Sequence, residues 1–510
     1  MRNNNIPNIP AEKFRFVADG ERLHDQKFET KQISYFHDAF NRFCKNKSSV
    51  TAACIILALV LYAILVPLLC QTSYSTALTD TNYLKYTKLL PKNQLFVDLG
   101  LGFWDGTSVQ THGEANYHYI RAIGEETGMD VIVGEPVVYE NDEGKKTYDI
   151  RVDSYVNNGF INLTGLTEAE YHKIMDWQNE TGIQVIYPAT KHSDANIWYE
   201  ATKKGVAKLD KDGNFVNIYL TSGSDDYDSI RIDGDPGKED PEASNRYRYA
   251  TRSKEGGVVS YSVRAFRYTY FQYLYGFEPA FLFGTNDIGQ DILTRLAAGA
   301  QFSLMFAILV SSINLSIGAV IGAIEGYYGG AIDMIIERFI DILARVPFTV
   351  VATLFQLHLS NVVDPWVSML FAFVLTGWIG MAGTVRMQFY RYKGQEYVLA
   401  ARVLGASDWR IMFRHIFPNS LGTIITSSVL VIPGVIFSES SLTYLGIVNL
   451  SSSTMTSVGT MLANARASLS THPHIILFPA LFISLLMISF NLFGNGLRDA
   501  FNPSLRGADE

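Results

Sequence analysis

Six stretches of the chain stay apolar for about the length a helix needs to cross a hydrocarbon core, roughly 20 residues. The first is "SVTAACIILALVLYAILVPLLC", Ser49 to Cys70. The second lies between Arg295 and Glu325, with no charged residue inside it. The third and fourth lie between Arg345 and Asp364 and between Asp364 and Arg386. The fifth runs from about His415 to Ser438 and the sixth from about His474 to Gly494. The pattern predicts membrane helices at 49–70 and at about 300–324, 340–361, 365–386, 418–438 and 474–494. Buried helices of a large soluble protein are the alternative, but uncharged runs this long and this numerous favour lipid. The first run starts after 48 residues and exceeds a typical signal-peptide core, so a retained helix is expected and not a cleaved leader.

Between the first two runs the pattern becomes mixed. "GLTEAEYHKIMDWQNETG" reads as a helix opened by a capping box, Thr167 with Glu170. "GIQVIYPA", "VAKLDKDGNFVNIYL" and "GGVVSYSVRAFRYTYFQYLYG" read as strands, with Asp212-Gly213 marking a hairpin turn. These signals predict an α+β domain over 71–280. "DKDGN" has some of the character of a calcium loop, but its glycine comes too early for an EF-hand, and a plain turn is the better reading. "SDDYDS" and "DGDPGKEDPE" read as solvated loops.

Charge sharpens this division. Residues 71–280 hold 31 acidic and 21 basic side chains, a net −10; the rest of the chain holds 19 and 21, a net +2. Such a split argues for two physical environments. The three cysteines, Cys44, Cys54 and Cys70, sit in or beside the first apolar run, so the acidic segment is not built on disulfides. It has ample length to bury a core of its own.

Lysine and arginine at the ends of the runs set the expected orientation. "NRFCKNK" precedes the first helix and places the tail, 1–48, in the cytoplasm. The acidic segment then falls outside, "EGYYGG" inside, and the Leu359–Trp366 turn outside. The stretch from Arg386 to Arg414 falls inside and carries six Lys/Arg against two acids. The carboxyl-terminal end, with Arg498 and Arg506, also falls inside. Charge bias and crossing count agree on six spans.

Gly318, Gly322 and Gly326 recur every fourth residue on one face of the second run. Small residues at that spacing let two helix backbones approach closely in lipid. The face serves either tight packing within one subunit or an interface that slides during a conformational cycle.

Between the fourth and fifth runs stands "EYVLAARVLGASDWRIMFRHIFPN", Glu396 to Asn419. Gln395 to Leu404 is rich in helix formers, and Gly405 sits where the helix would end in a left-handed residue. Ser407 is placed to cap a second helix from Asp408, whose charge suits that helix's positive end. Pro418 is expected to close it. Ala400, Ala401 and Gly405 make a patch almost without side chains, while Tyr397, Leu404 and Phe413 supply bulk. Arg402, Arg410 and Arg414 suit an acidic partner or lipid headgroups. The hairpin either lies on anionic lipid or docks against a partner.

This stretch resembles the EAA loop of ABC importer permeases, in the form found in dipeptide and oligopeptide permeases. Phe417 stands where leucine is commoner. "FGTNDIGQDILTRLAAGAQFSL" is similar to the segment before the second helix of the C-type subunit, with Gln290 in place of the usual arginine. "GGAIDMIIERFIDILARVP", "ESSLTYLGI" and "FNLFGNGLRDAFNPSLR" also match, the last with Asn495 where aspartate is usual. The resemblance covers about Phe283 to Arg506, and the first span by position. It implies a six-helix polytopic membrane protein of the type I importer permease fold, here with a large extracellular α+β insertion where the family commonly has a short loop.

The resemblance further implies a subunit of an ATP-driven peptide importer in a bacterial cell membrane. Its expected partners are a second, homologous permease chain, two cytoplasmic ATPases, an extracellular substrate-binding protein, the peptide and the bilayer, and no nucleic acid. The residues implied to couple to the ATPase are Glu396, Ala400, Ala401, Arg402, Gly405, Ala406, Ser407, Asp408 and Arg410. No cofactor is expected in this chain, since ATP and magnesium would be held by the ATPases.

The sequence itself has no G-x-x-x-x-G-K-[ST] loop, no H-E-x-x-H, no Cys/His cluster of zinc spacing and no convincing G-x-S-x-G elbow, so a catalytic role is not expected. The centres of the apolar runs lack the ionisable residues of a proton relay. Glu337, Arg338, Asp341 and Arg345 are spaced to pair along one helix, and Glu439 falls at the outer end of the fifth run. The acidic segment would dock the binding protein, cap the pathway passively or touch the cell wall. An importer of nickel or another small solute remains an alternative. So does a membrane-anchored receptor, although 48 residues before the first run leave little room for a signalling domain.

Overall fold

The computed structural model describes residues 35–69, 86–189 apart from 101 and 143, 195–196, 208, 211, 228–230, 250–450 apart from 256–257, and 455–501. A short amphipathic helix, α1 (Tyr35–Lys45), leads into the apolar α2 (Lys47–Leu69). Leu57, Leu61, Leu65 and Leu68 are exposed along α2, an arrangement that lipid, not water, satisfies.

The mixed segment then builds two antiparallel sheets. The first orders its strands β1 (Thr107–Gly113), β3 (Lys146–Asp153), β2 (Val137–Glu140), with α3 (Glu114–Thr127) following β1. On β3 the side chains of Tyr148, Ile150 and Val152 alternate into the core, as the two-residue period of a half-buried strand requires. The second sheet runs β4 (Phe160–Leu166), β8 (Val258–Phe266), β7 (Ala250–Glu255), β6 (Asp228–Ile230), and β5 (Ile186–Tyr187) also pairs with β8. The helix α4 (Glu168–Thr181) lies between β4 and β5 in the chain and begins with both halves of the Thr167–Glu170 capping box. The "VAKLDKDGNFVNIYL" strand, its Asp212-Gly213 turn and the "DKDGN" loop fall outside the described residues but for Lys208 and Lys211. The end of "SDDYDS" is not loop: Asp228 and Ser229 belong to β6.

The aromatic run expected to continue as strand divides instead. Its second half is helix α5 (Arg267–Tyr275), closed by Gly276 at φ +75°. Tyr268, Thr269, Tyr270 and Phe271 are all buried. Gly276 supplies the left-handed cap a helix end needs.

The helical part begins with the 37-residue α6 (Ile292–Tyr328), capped by Asp291. Gly329 and Gly330, at φ +67° and +58°, reverse the chain into α7 (Gly330–Ala344). The single helix expected over 340–361 is broken. The chain leaves α7 at Arg345 and re-enters helix as α8 (Phe348–Leu359), bent by 75° from α7. Pro347 is the reason: it has no N–H for a continuing helix and pushes the residue before it out of the helical region. Then come α9 (Pro365–Gly377), α10 (Ile379–Tyr392) and α11 (Glu396–Val403).

Pro418 does not end a helix. Residues Ile411–Ile416 are wound as a wider π turn, with Phe417 N–H donating to the Met412 carbonyl, and the rod continues as α12 (Phe417–Tyr444). Widening by one residue per turn accommodates the missing proline donor without a break. The fold finishes with α13 (Val458–Ala465) and α14 (His474–Phe501). Among the described residues, five helical rods are long and apolar enough to cross a membrane, namely α2, α6, α9 with α10, the second hairpin arm with α12, and α14, or six if the bent α7–α8 pair counts as one crossing.

The α+β segment sits on one end of the helical part through polar contacts at its edges. Thr285 Oγ1 donates to the Tyr86 carbonyl (2.7 Å) and accepts from Leu89 N–H (2.9 Å). The Trp104 indole donates to the Leu282 carbonyl and its ring packs on Phe478, 5.8 Å between centroids. Lys88 pairs with Asp287 at 3.3 Å.

Candidate functional site

The hairpin after α10 is built as a fixed turn on a fixed base. At the end of α11, Gly405 takes φ +80°. Its N–H donates to the Arg402 carbonyl and that of Ala406 to the Ala401 carbonyl, both at 3.0 Å. This pair of bonds is the Schellman closure, which satisfies the last carbonyls and holds the reversal to one geometry. Ser407 starts the second arm in extended conformation, yet its hydroxyl makes no capping bond; the backbone carbonyl alone accepts, from Ile411 N–H at 2.9 Å.

Asp408 stands in the first turn of the second arm, where its position placed it, and has a further task there. Its Oδ1 accepts from the Tyr327 hydroxyl at 2.5 Å and its Oδ2 from the Tyr328 hydroxyl at 3.5 Å. Arg402 donates to the same Tyr327 oxygen at 3.3 Å and lies 5.6 Å from the centre of its ring. Tyr327, in the last turn of α6, therefore ties both arms of the hairpin to that helix. Beneath the turn, Val398, Ile411, Met412 and Ile416 are buried with Ala323, Val385 and Phe389 of α6 and α10. The hairpin is thus an extension of the helical core.

Its outer face is apolar and open. Val403 and Leu404 are 88 % and 86 % exposed, and Trp409, its ring tilted against Phe413 with centroids 4.2 Å apart, is 60 % exposed. Large apolar side chains presented together at a turn mark a contact surface. Glu396, Ala400, Arg402, Gly405, Ser407, Asp408 and Arg410 lie on the exposed side, Ala406 is half-buried and Ala401 is buried in the base. Nothing approaches within 4 Å of the place a Gly405 side chain would occupy. Burial of the Tyr397 phenol raises its pKa, and its oxygen accepts from Asn419 at 3.3 Å.

The glycine face of α6 meets α10 of the same chain. A Cβ at Gly318 would stand 2.8 Å from the Trp378 carbonyl and from Met381 Cβ; at Gly326 it would stand 2.5 Å from Phe389 Cβ. At Gly322 it would collide with the Ala382 carbonyl. These glycines bring the two backbones into contact directly above the hairpin. The charges of α7 divide between two kinds of partner. Arg338 pairs along the helix with Asp341 at 3.0 Å, whereas Glu337 reaches across to Arg386 of α10 at 3.3 Å. Glu439 is wholly buried in α12, accepting from Ser303 at 2.9 Å and Ser440 at 3.3 Å.

Three residues of the hairpin's architecture gave no signal in the sequence. Val403 and Trp409 look like ordinary apolar helix positions. Tyr327 lies 81 residues from Asp408, and only the packing of α6 beside the hairpin unites them.

Comparison with known proteins places this arrangement. Residues 314–507 match the model of the binding-protein-dependent transport system inner membrane component, and residues 34–91 match that of the N-terminal TM domain of oligopeptide transport permease C. Residues 92–313 lie outside both matches. The chain is 40 % identical over 224 residues to the oligopeptide transport system permease protein OppC of Bacillus subtilis, covering 44 % of this chain and 72 % of that protein. It is 38 % identical over 225 residues to the dipeptide transport system permease protein DppC of the same organism, 44 % of this chain and 69 % of that one. With OppC of Escherichia coli K12 the identity is 36 % over 232 residues, 45 % and 74 % of the two chains. The chain belongs to the binding-protein-dependent ABC transport permeases, in the oligopeptide and dipeptide permease C branch.

Proposed function

We propose that this chain is the permease subunit of an ATP-driven importer of oligopeptides or dipeptides, forming half of the translocation pathway in a bacterial cell membrane. In this reading the chain crosses the bilayer six times, α7 and α8 together making one bent crossing. Both ends lie in the cytoplasm, and residues 71–280 form an inserted α+β domain on the outer side. The lysine and arginine excess between Arg386 and Arg414 supports this orientation. The other half of the pathway is a homologous permease chain, and an external binding protein delivers the peptide. Two cytoplasmic ATPases bind ATP and its magnesium, for which this sequence carries no phosphate loop.

The hairpin after α10 couples the ATPases to the membrane helices. One observation carries this reading: a turn locked by its own hydrogen bonds and rooted in α6 and α10 presents Val403, Leu404 and Trp409 outward. A flexible loop would absorb a push, whereas a rooted turn passes it to the helices it is rooted in. Because Gly405 has a left-handed backbone, any substitution there strains the turn itself, so the exposed tip is the cleaner place to intervene. Leu404→Asp combined with Trp409→Ala should leave the chain folded, abolish ATPase copurification from detergent, and lower peptide uptake at least tenfold. Copurification and uptake at wild-type levels would refute the coupling role.

A further inference from the structure

Where α6 turns into α7, Glu325 is wholly buried, and neither of its carboxylate oxygens has a hydrogen-bond partner among the described residues. A buried polar group left unpaired is costly, and a charged one more so. Two further carboxylates face it from the next helix, Asp333 and Glu337, four residues apart on α7. One oxygen from each of the three lies within 4.8 Å of the other two. Arg386 is the neighbouring cation, but its donors are already assigned. Its Nε and Nη2 donate to the two oxygens of Asp333 at 2.6 and 3.0 Å, and its Nη1 pairs with Glu337 at 3.3 Å. Tyr390 also donates to Asp333, at 2.8 Å. Lys393, the other nearby cation, donates to the Gly326 carbonyl at 2.9 Å. Asp333 and Glu337 therefore have partners in α10, and Glu325 has none.

We propose that Glu325, Asp333 and Glu337 form a binding site for a hard divalent cation, between magnesium and calcium in size. The donor set is carboxylate oxygen only, which suits magnesium, manganese or calcium and not the softer metals held by thiolate or imidazole. The spacing fits without rearrangement. Oxygens on opposite sides of an ion at about 2.4 Å stand about 4.8 Å apart, and adjacent ones stand closer. Glu337 pairs with Arg386 through one oxygen and keeps the other for the ion, while Asp333, whose two oxygens both accept from α10, reaches the ion through a remaining lone pair. The half-exposed Glu337 marks the side from which an ion and its waters enter.

The ion joins the last turn of α6 to the first two turns of α7 across the Gly329–Gly330 reversal, and Arg386 connects it to α10. Tyr327, which holds the hairpin, is two residues from Glu325. The site thus braces the base from which the hairpin extends. It does not depend on what the protein transports.

The test uses the full-length chain, purified in detergent without nucleotide. Free Mn²⁺ is followed by electron paramagnetic resonance during titration, and melting is recorded with and without Mg²⁺. The wild type should bind one Mn²⁺, and Mg²⁺ should raise its melting temperature. Glu325→Gln should weaken Mn²⁺ binding at least tenfold and remove the Mg²⁺ effect. Glu337→Gln, on the accessible side, should weaken binding several-fold with unchanged melting in the absence of metal. It keeps the test decisive if the buried variant folds poorly. No Mn²⁺ binding by the wild type, or equal binding by wild type and variants, would overturn the site. A Glu325→Gln chain that melts higher than a metal-insensitive wild type would also overturn it, showing Glu325 to be a buried neutral acid.

Discussion

The α+β segment and the helical part solve the same packing problem in opposite ways. The segment buries large aromatic side chains: Tyr86, Tyr155, Phe160, Tyr171, Tyr261, Phe266 and Phe271 are almost entirely hidden in one core. It also buries Arg264, whose two terminal nitrogens donate to the Glu126 carboxylate at 2.7 and 2.9 Å while the guanidinium lies 3.8 Å from the Phe160 ring centre. The helical part buries large side chains too, Phe306, Phe389 and Phe482 among them, but it also turns others outward along helices long enough to span lipid. Met305, Ile335, Leu357 and Ile488 are all more than half exposed. Along Gly318, Gly322 and Gly326 its helices approach so closely that a Cβ would meet the facing helix. Water drives the first arrangement, since burying an aromatic side chain removes a large apolar surface from it. Lipid offers no such gain, so close approach through small residues takes its place.

This contrast can be broken at particular residues. The largest effect is expected at Glu126→Ala, which leaves the Arg264 charge buried without its carboxylate. Loss of one partner of a buried pair costs about 3–5 kcal/mol. Thermal unfolding with limited proteolysis should show the α+β segment opening first, while α6 to α14 stay protected. Next in size, Gly322→Ala forces a methyl against the Ala382 backbone, at a cost of about 1–3 kcal/mol from overpacking. The lower melting temperature should then come from the helical part, with the α+β segment equally resistant to protease as in the wild type. If both variants destabilised both parts equally, the two regions would be one cooperative unit and the contrast would fail.

The smallest effect is local to α4. Thr167 donates to Glu170 through its backbone N–H and its hydroxyl, each at 2.8 Å. The backbone bond first, and the hydroxyl bond after it, hold the Glu170 carboxyl below its ordinary pKa. A lowered folded-state pKa means that this contribution is complete above the unfolded value and fades as pH falls through the folded one. Thr167→Ala should cost about 1 kcal/mol at neutral pH. The difference from wild type, followed by thermal melting, should shrink in acid as Glu170 protonates in both chains. A constant difference down to pH 3, roughly a unit below the usual carboxylate value, would argue against the carboxylate half of the capping box.

How much the sequence disclosed follows the same division. Long apolar helices are written in composition, which is why α2, α6, α12 and α14 were anticipated, though α6 and α12 extend well beyond the apolar stretch that signalled them. The break before α8 was missed because hydropathy does not register a single proline. Pro418 misleads for the converse reason: the π turn that absorbs it is not written in any local pattern. In the aromatic run, β-favouring side chains carry the strand reading past Phe266, where the chain turns to a helix closed by Gly276. The hairpin's turn was legible because Gly405 is a local requirement. Its attachment through Tyr327 was not, because that contact exists only after α6 and the second arm have packed together.

The central claim is that the rooted hairpin is where the membrane helices meet an ATPase. The most direct measurement is a bifunctional maleimide cross-link from Leu404→Cys in cells co-expressing the partner subunits. The natural cysteines, Cys44, Cys54 and Cys70, are far from the hairpin in the sequence, and the unsubstituted chain controls for them. The account predicts a cross-linked product with the mass of this chain plus one ATPase, its yield altered by ATP. Free labelling of Leu404→Cys by a water-soluble maleimide in the assembled complex, with no such product, would contradict it.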